Sequence, residues 1–248
     1  MNQITFHHPK IENDKKLSYY VPAGPAYEKQ IADMITEIFI EQHYEKGRIK
    51  KDMVVMDVGA NIGLASLYFK DWAKVIYALE PHPKNFECLV ENTKQYPHIK
   101  PFNVGLAARG ATEFLRTNSN YPIPESLFGE GNIRDAVKMM AIDEFMNQEK
   151  IEHIDLMKFD TEGAEYIVFP SNSFSKVALK IDYIVGEAHY FSKLVPDYIP
   201  LILKDCGFEM EFLPYKNMYL VMTFDDVVKK EYRVDKQTIF FAKRKGLP

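Results

Sequence analysis

Much that would classify this sequence at a glance is missing from it. Only two cysteines are present, Cys88 and Cys206, far apart in the chain. They match no zinc-ligand spacing and make no disulfide framework, which points to a reducing compartment. No apolar run approaches the ~20 residues that cross a bilayer. The first residues are polar, with His7, His8 and a charged run from Glu12 to Lys16, so the apolar core of a secretory signal is absent too. Nor is there an excess of basic charge: 31 Lys and Arg face 35 Asp and Glu, for a net charge of −4. That balance excludes the global basic footprint of a nucleic-acid binder. Internal repeats and low-complexity tracts are also lacking. These absences lead to the expectation of a soluble cytoplasmic protein with no membrane span and no nucleic-acid partner.

What is present suits an α/β protein. A hydrophobic content of 46% is ample for one core, and 248 residues fit one α/β domain with an appendage. The expected division is an N-terminal extension and helix at 1–48, packing on a core domain at 49–248. The extension holds extended pieces at Ile4–Phe6 and Leu17–Val21, broken off by Pro22, Gly24 and Pro25. From Ala26, residues Tyr27, Ile31, Met34, Ile35, Ile38 and Phe39 recur at helical spacing, in a helix ending near Gly47. Glu41 and Tyr44 fall on its last turn, where either could reach a ligand mouth.

The chain is organised around Val54-Val55-Met56-Asp57-Val58-Gly59-Ala60-Asn61-Ile62-Gly63. The apolar, β-branched run reads as a strand buried on both faces. The glycines at 59 and 63 turn the chain into a helix starting near Leu64, a layout that brings a ligand against backbone N–H groups. The spacing is neither that of a dinucleotide-binding fingerprint nor that of a phosphate loop, because no Lys-Ser/Thr follows. Asp57 puts a carboxylate at the strand's end, where a cationic ligand is favoured over a pyrophosphate. A second strand, Val75–Glu80, also ends in a carboxylate, placed as the residue that accepts hydrogen bonds from both hydroxyls of a ribose. A helix follows from Pro83 to before Pro97, then a strand at Ile99–Leu106 and a short one at Thr112–Leu115.

Residues 117–134 are dense in Asn, Pro and Gly and read as a long loop, a lid or binding element. Val137–Ile142 is expected to be extended and Asp143–Gln148 helical. A strand then runs from Ile154 into Asp160, with Glu162, Gly163 and Glu165 after it. Carboxylates crowded at one strand end repel each other, which suggests a cationic ligand, a metal or a polar substrate. Ile181–Gly186 reads as a further strand leading to Glu187 and His189, Ile199–Leu203 as a helix, and Phe208–Leu213 and Gln237–Lys243 as two late strands. The piece Val221–Asp235 follows no clear pattern.

Three motifs in this order resemble the FkbM family of S-adenosylmethionine-dependent methyltransferases: Asp57-Val58-Gly59-Ala60-Asn61-Ile62-Gly63, Glu80-Pro81-His82-Pro83-Lys84-Asn85-Phe86, and Lys158-Phe159-Asp160-Thr161-Glu162-Gly163-Ala164-Glu165. The similarity spans residues 41 to 190, and residues 191–248 match nothing nameable. It implies an α/β class I methyltransferase fold, a Rossmann-like three-layer sandwich. Its sheet would have seven strands, mostly parallel, with an antiparallel C-terminal hairpin. By the resemblance, Asp57, Gly59, Asn61 and Gly63 surround the methionine part of S-adenosylmethionine and Glu80 the ribose, with Ala60 and Pro81 also among the donor-binding residues. His82 and the Asn103-Val104-Gly105 turn flank the adenine, and Asp160 sits near the ammonium or the transferred methyl. One departure stands out: Lys158-Phe159 precedes Asp160 where the family is commonly more aliphatic.

Methyl transfer is an in-line displacement at a sulfonium methyl, so the protein's task is to align an acceptor atom and take up its proton. Candidates at the strand ends are Asp160, Glu162, Glu187 and His189. His189 is the preferred base, because its ordinary pKa lies nearest neutrality. Mg²⁺ held by Asp160, Glu162 and Glu187 is the less favoured alternative, since spacing alone does not bring the three together. The expected activity is O-methylation of a hydroxyl on a sugar, polyketide or similar small-molecule or glycan acceptor. The alternatives are an N- or carboxylate-methyltransferase, or a non-catalytic partner subunit that binds the nucleoside. An NAD-dependent dehydrogenase is disfavoured by the missing middle glycine.

Overall fold

The computed structural model describes residues 1–6, 17–22, 31–44, 49–118, 121–125, 133–189, 198–214, 222–223 and 237–247. Strands β1 (Asn2–Phe6) and β2 (Leu17–Val21) form an antiparallel pair. A helical segment α1 follows at 31–40, and its second half, Thr36–Ile40, is wound as a π-helix. Strands and helices then alternate as β3 (Met53–Val58), α2 (Leu64–Phe69), β4 (Ala73–Leu79), α3 (Pro83–Thr93) and β5 (Ile99–Phe102). Next come β6 (Gly105–Ala107), β7 (Ala111–Asn118), β8 (Tyr121–Glu125) and β9 (Ile133–Ala141). Alternation resumes with α4 (Ile142–Gln148), β10 (Ile154–Phe159), α5 (Glu165–Val168), α6 (Asn172–Val177) and β11 (Ile181–His189). Helix α7 (Tyr198–Asp205), β12 (Phe208–Pro214), β13 (Met222–Thr223) and β14 (Gln237–Arg244) complete the order.

The main sheet has the order β13-β12-β14-β11-β10-β3-β4-β5. Strands β5, β4, β3, β10 and β11 run parallel, whereas β14 is antiparallel to both β11 and β12. The sheet therefore carries the seven strands expected, with the antiparallel hairpin at its C-terminal side, plus the two-residue β13 at its edge. Successive side chains point to opposite faces, so Met56, Val58 and Phe240 enter one core and Val55 and Phe241 the other. Helices α4 and α6 cover the first face, and α1, α2 and α3 the second. The result is three layers with a hydrophobic core on each side of the sheet. Among the described residues no helix is long and apolar enough to cross a membrane.

Three stretches differ from the sequence expectation. The helical segment α1 ends at Ile40, short of the expected Gly47, so Glu41 and Tyr44 follow it instead of forming its last turn. The single strand expected at Ile99–Leu106 is two. β5 stays in the main sheet, and Asn103-Val104 turns the chain so that β6 pairs with β9 in a separate four-stranded sheet, ordered β6-β9-β7-β8. The loop expected at 117–134 is largely extended where it is described, because β7 pairs along its length with β9 and near its end with β8. Pro122 and Pro124 lie on β8, the edge strand, and fall outside the residue pairs that join it to β7, which is where a sheet tolerates proline. The start of the expected helix at Ala26, and most of Val221–Asp235, lie outside the described residues.

Candidate functional site

The ends of β3, β4 and β10 open onto one cleft enclosing about 930 Å³ of non-protein space, part of it open to solvent. Gly59, Ala60 and Asn61 form its floor, Glu80, Pro81 and Gly105 one wall, and Asp160, Thr161 and Glu162 the opposite end. Met34, Ile38 and Tyr44 reach in from the α1 side, and Leu115 and Met139 from the four-stranded sheet. Of these outer residues, sequence reasoning picked out Tyr44 alone. Glu41, its companion in that expectation, is exposed and pairs with His43 at 2.7 Å.

The floor owes its shape to contacts inside the protein. A Cβ on Gly59 would lie 1.8 Å from the Asp160 carbonyl oxygen, and Gly59 has φ +76°. The turn after β3 thus touches the turn after β10, and only glycine fits. Gly63 has φ +94°, and a Cβ there would meet Leu89 and Thr93 of α3 at 2.8 and 3.2 Å.

Asp57 does not line the cleft. It is fully buried, Ser66 Oγ donates to its Oδ2 at 2.6 Å, and its Oδ1 lies 3.4 Å from Lys158 Nζ. Its charge is therefore answered from within by Lys158, the residue noted as a departure at the level of sequence. Lys158 is itself buried, donates to the Gly59 carbonyl at 2.7 Å and stands 3.6 Å from Asp160 Oδ2. Burial works against its charge, but Asp57, Asp160 and Glu187 outweigh it and hold the amine above its ordinary range.

Glu80 is 5% exposed. Its Oε2 accepts the Asn61 N–H at 2.8 Å and its Oε1 the His82 N–H at 2.9 Å. Burial dominates over those bonds and pushes its pKa up to about 7. His82, Asn103 and Val104 sit outside the lining. The Asn103 amide donates to the Glu80 and Pro81 carbonyls at 2.9 and 3.0 Å, while the buried His82 ring faces Asp135 at 3.3 Å.

At the far end the structure brings together the residues that sequence spacing could not. His189 Nε2 lies 3.7 Å from Asp160 Oδ1, 3.5 Å from Glu162 Oε2 and 3.9 Å from Glu187 Oε2, and Nδ1 lies 3.3 Å from Glu165 Oε1. The Tyr44 hydroxyl sits 3.4 Å from both Asp160 and Glu187. Asp160 and Glu162 line the cleft, and Glu187 and His189 stand behind them. Burial alone would make the His189 ring harder to protonate. Glu165, Glu162 and Asp160 reverse this and hold its pKa well above the ordinary value. The reason for preferring His189 as the base, a pKa near neutrality, does not apply in this setting. Burial and the neighbouring Asp160 also raise Glu187 well above the carboxylate range.

With this geometry in hand, comparison with known proteins is informative. Residues 57–210 match the Methyltransferase FkbM domain. The chain is 28% identical to methyltransferase sdnD of Sordaria araneosa over 82% of its own length and 90% of that protein. It is 26% identical to the hexuronic acid methyltransferase AglP of Haloferax volcanii over 56% of this chain and 57% of the other. Among solved structures, the fibrillarin pre-rRNA processing protein of Methanococcus jannaschii aligns with a TM-score of 0.52 at 14% identity, covering 99% of this chain and 84% of that one, a likeness of fold. The chain belongs to the FkbM methyltransferase family, and membership implies S-adenosylmethionine as the methyl donor.

Proposed function

We propose that this FkbM methyltransferase binds S-adenosylmethionine in the cleft and transfers its methyl group to a hydroxyl of a sugar, polyketide or similar small metabolite or glycan. The observation that carries the donor half is Glu80, a buried carboxylate in the cleft wall whose two oxygens are oriented by the Asn61 and His82 N–H groups. A carboxylate so fixed is suited to accept from both hydroxyls of a ribose. Gly59, Ala60 and Asn61 would border the methionine part, and Pro81 and Gly105 the adenine. Asp57, Gly63, His82, Asn103 and Val104 act at one remove, by holding the turns that form the floor and wall.

The donor, when bound, supplies an electrophilic methyl on a sulfonium. Alignment of the acceptor falls to the end of the cleft at Asp160, the half-buried carboxylate of the cluster that faces inward. Asp160 receives the hydrogen bond of the acceptor hydroxyl and takes its proton as the oxygen attacks. Glu187 and His189 act through Asp160 as positioning residues. The acidic surroundings favour a hydroxyl over an amine, because an amine would be held there as its non-nucleophilic ammonium. The name of the Haloferax relative, a hexuronic acid methyltransferase, supports a sugar within the proposed acceptor classes.

Two measurements test this reading. Titration calorimetry should show one equivalent of S-adenosylmethionine bound per chain, and absence of heat at high protein concentration would overturn the donor site. Mass spectrometry of metabolite and glycan extracts incubated with methyl-labelled donor should then find label on oxygen. Label on nitrogen would replace the O-methyl assignment. Binding without transfer to any acceptor would point to a partner subunit.

A further inference from the structure

We propose a divalent-cation site at the far end of this cleft, formed by the carboxylates of Asp160 and Glu162 and by His189 Nε2, that holds oxygens of the acceptor. The inference rests on the methyl-transfer reading above. His189 Nε2 is 3.7 Å from Asp160 Oδ1 and 3.5 Å from Glu162 Oε2. Both gaps are long for a hydrogen bond, yet two metal–ligand bonds of about 2.1 Å meeting at one ion span them. The side chain of His189 is 6% exposed, and its Nε2 has no hydrogen-bond partner among the described residues. Buried polar atoms are ordinarily paired, so a nitrogen aimed unpaired at two carboxylates calls for a ligand between them.

The other side of the ring supports the same assignment. His189 Nδ1 faces Oε1 of the fully buried Glu165 at 3.3 Å, and that oxygen is held by the Thr161 backbone N–H and hydroxyl at 3.0 and 2.8 Å. With Nδ1 donating to Glu165, Nε2 is the nitrogen turned toward Asp160 and Glu162, and a cation bound there would displace its proton. A carboxylate behind the imidazole is the arrangement that orients metal-bound histidines.

A cluster of like composition, His153, Asp155 and Asp182, lies at the N-terminal ends of β10 and β11, away from the cleft. There each carboxylate already has a resident cation: Lys50 is 2.6 Å from Asp155 and Arg244 is 2.6 Å from Asp182. At the cleft, the cation beside Asp160 is Lys158, which is committed to the Gly59 carbonyl and to Asp57. Lys158 faces Oδ2 of Asp160, and the oxygen turned toward His189 is Oδ1. One imidazole with two carboxylates suits Mn²⁺ or Fe²⁺, and three protein ligands leave positions for two acceptor oxygens. Vicinal hydroxyls, or the hydroxyl and carboxylate of a sugar acid, have that form.

The test uses chelator-treated full-length protein titrated with MnCl₂, followed by calorimetry and by the electron paramagnetic resonance signal of free Mn²⁺. One Mn²⁺ per chain is expected. Glu162→Gln, at a side chain 57% exposed and so tolerated by the fold, should weaken binding about tenfold or more. His189→Ala should abolish it, and His153→Ala should leave it unchanged. No Mn²⁺ uptake, or uptake unaffected by both Glu162→Gln and His189→Ala, overturns the site. S-adenosylmethionine titrated into the same preparation separates the two readings. Donor binding without Mn²⁺ binding overturns the cation site alone, and Mn²⁺ binding without donor binding overturns the donor reading alone.

Discussion

Burial of Glu80 sets two requirements against each other. Its folded-state pKa stands at about 7 against an ordinary 4.5, so between those values the folded chain binds a proton that the unfolded chain has lost. The stability this contributes is full below the ordinary carboxyl range and falls as pH rises toward 7. Donor binding runs the other way, because only the carboxylate accepts from both ribose hydroxyls. We expect S-adenosylmethionine affinity to fall about tenfold per pH unit below ~7 and to level off above it. Calorimetry at pH 6, 7 and 8 checks this, and Glu80→Gln should bind weakly and lose the step. A wild-type affinity flat across that range would remove Glu80 from the ribose. The sequence singles out Glu80 as an acid at a strand end, a candidate for the ribose. It could not foresee the sign of burial effects. The charge states of His189 and Lys158 depend on carboxylates brought in from other strands, which spacing along the chain does not reveal.

Among the elements, the contact between the turns after β3 and β10 is the one most exposed to test. Gly59→Ala would drive a Cβ to within 1.8 Å of the Asp160 carbonyl at a left-handed φ, and we expect a loss of about 2–5 kcal/mol from strain and overpacking together. Gly207→Ala is the control, since it has φ +91° with nothing within 4 Å and should cost about 1–2 kcal/mol. Denaturation of the two variants side by side checks the difference. Equal costs would mean that backbone conformation, and not the close approach of the turns, demands glycine at 59. The sequence singles out Gly59 for a different reason, the approach of a ligand, because the Asp160 turn is about a hundred positions away in the chain. The buried strands of the parallel sheet were legible from their continuous apolar runs. The four-stranded sheet was not, since composition signals local turns, whereas pairing with β9 is what makes β7 and β8 extended.

For the whole molecule, the open question is whether residues 1–48 are an appendage or part of the fold. Tyr19, Val21, Ile31, Ile35, Ile38 and Tyr44 are buried in the same core as Val55, Leu64, Phe69 and Phe241. Asn92 of α3 binds both the backbone N–H and the carbonyl of Tyr20 at 2.6 and 2.9 Å, and its amide also donates to the Ile62 carbonyl in the glycine turn at 2.8 Å. The N-terminal strand is thereby tied to the floor of the cleft. At about 1.5–3 kcal/mol for each buried side chain, uncovering the surface under six of them costs on the order of 10 kcal/mol. That is as large as the whole stability of a typical domain, about 5–15 kcal/mol. Met34, Ile38 and Tyr44 would also be lost from the cleft. A chain cut to 49–248 should therefore show no cooperative thermal transition, and S-adenosylmethionine should not restore one. If the shortened chain melts cooperatively near the full-length temperature and binds the donor equally well, residues 1–48 are a dispensable covering and the methyltransferase unit begins at the strand before Asp57.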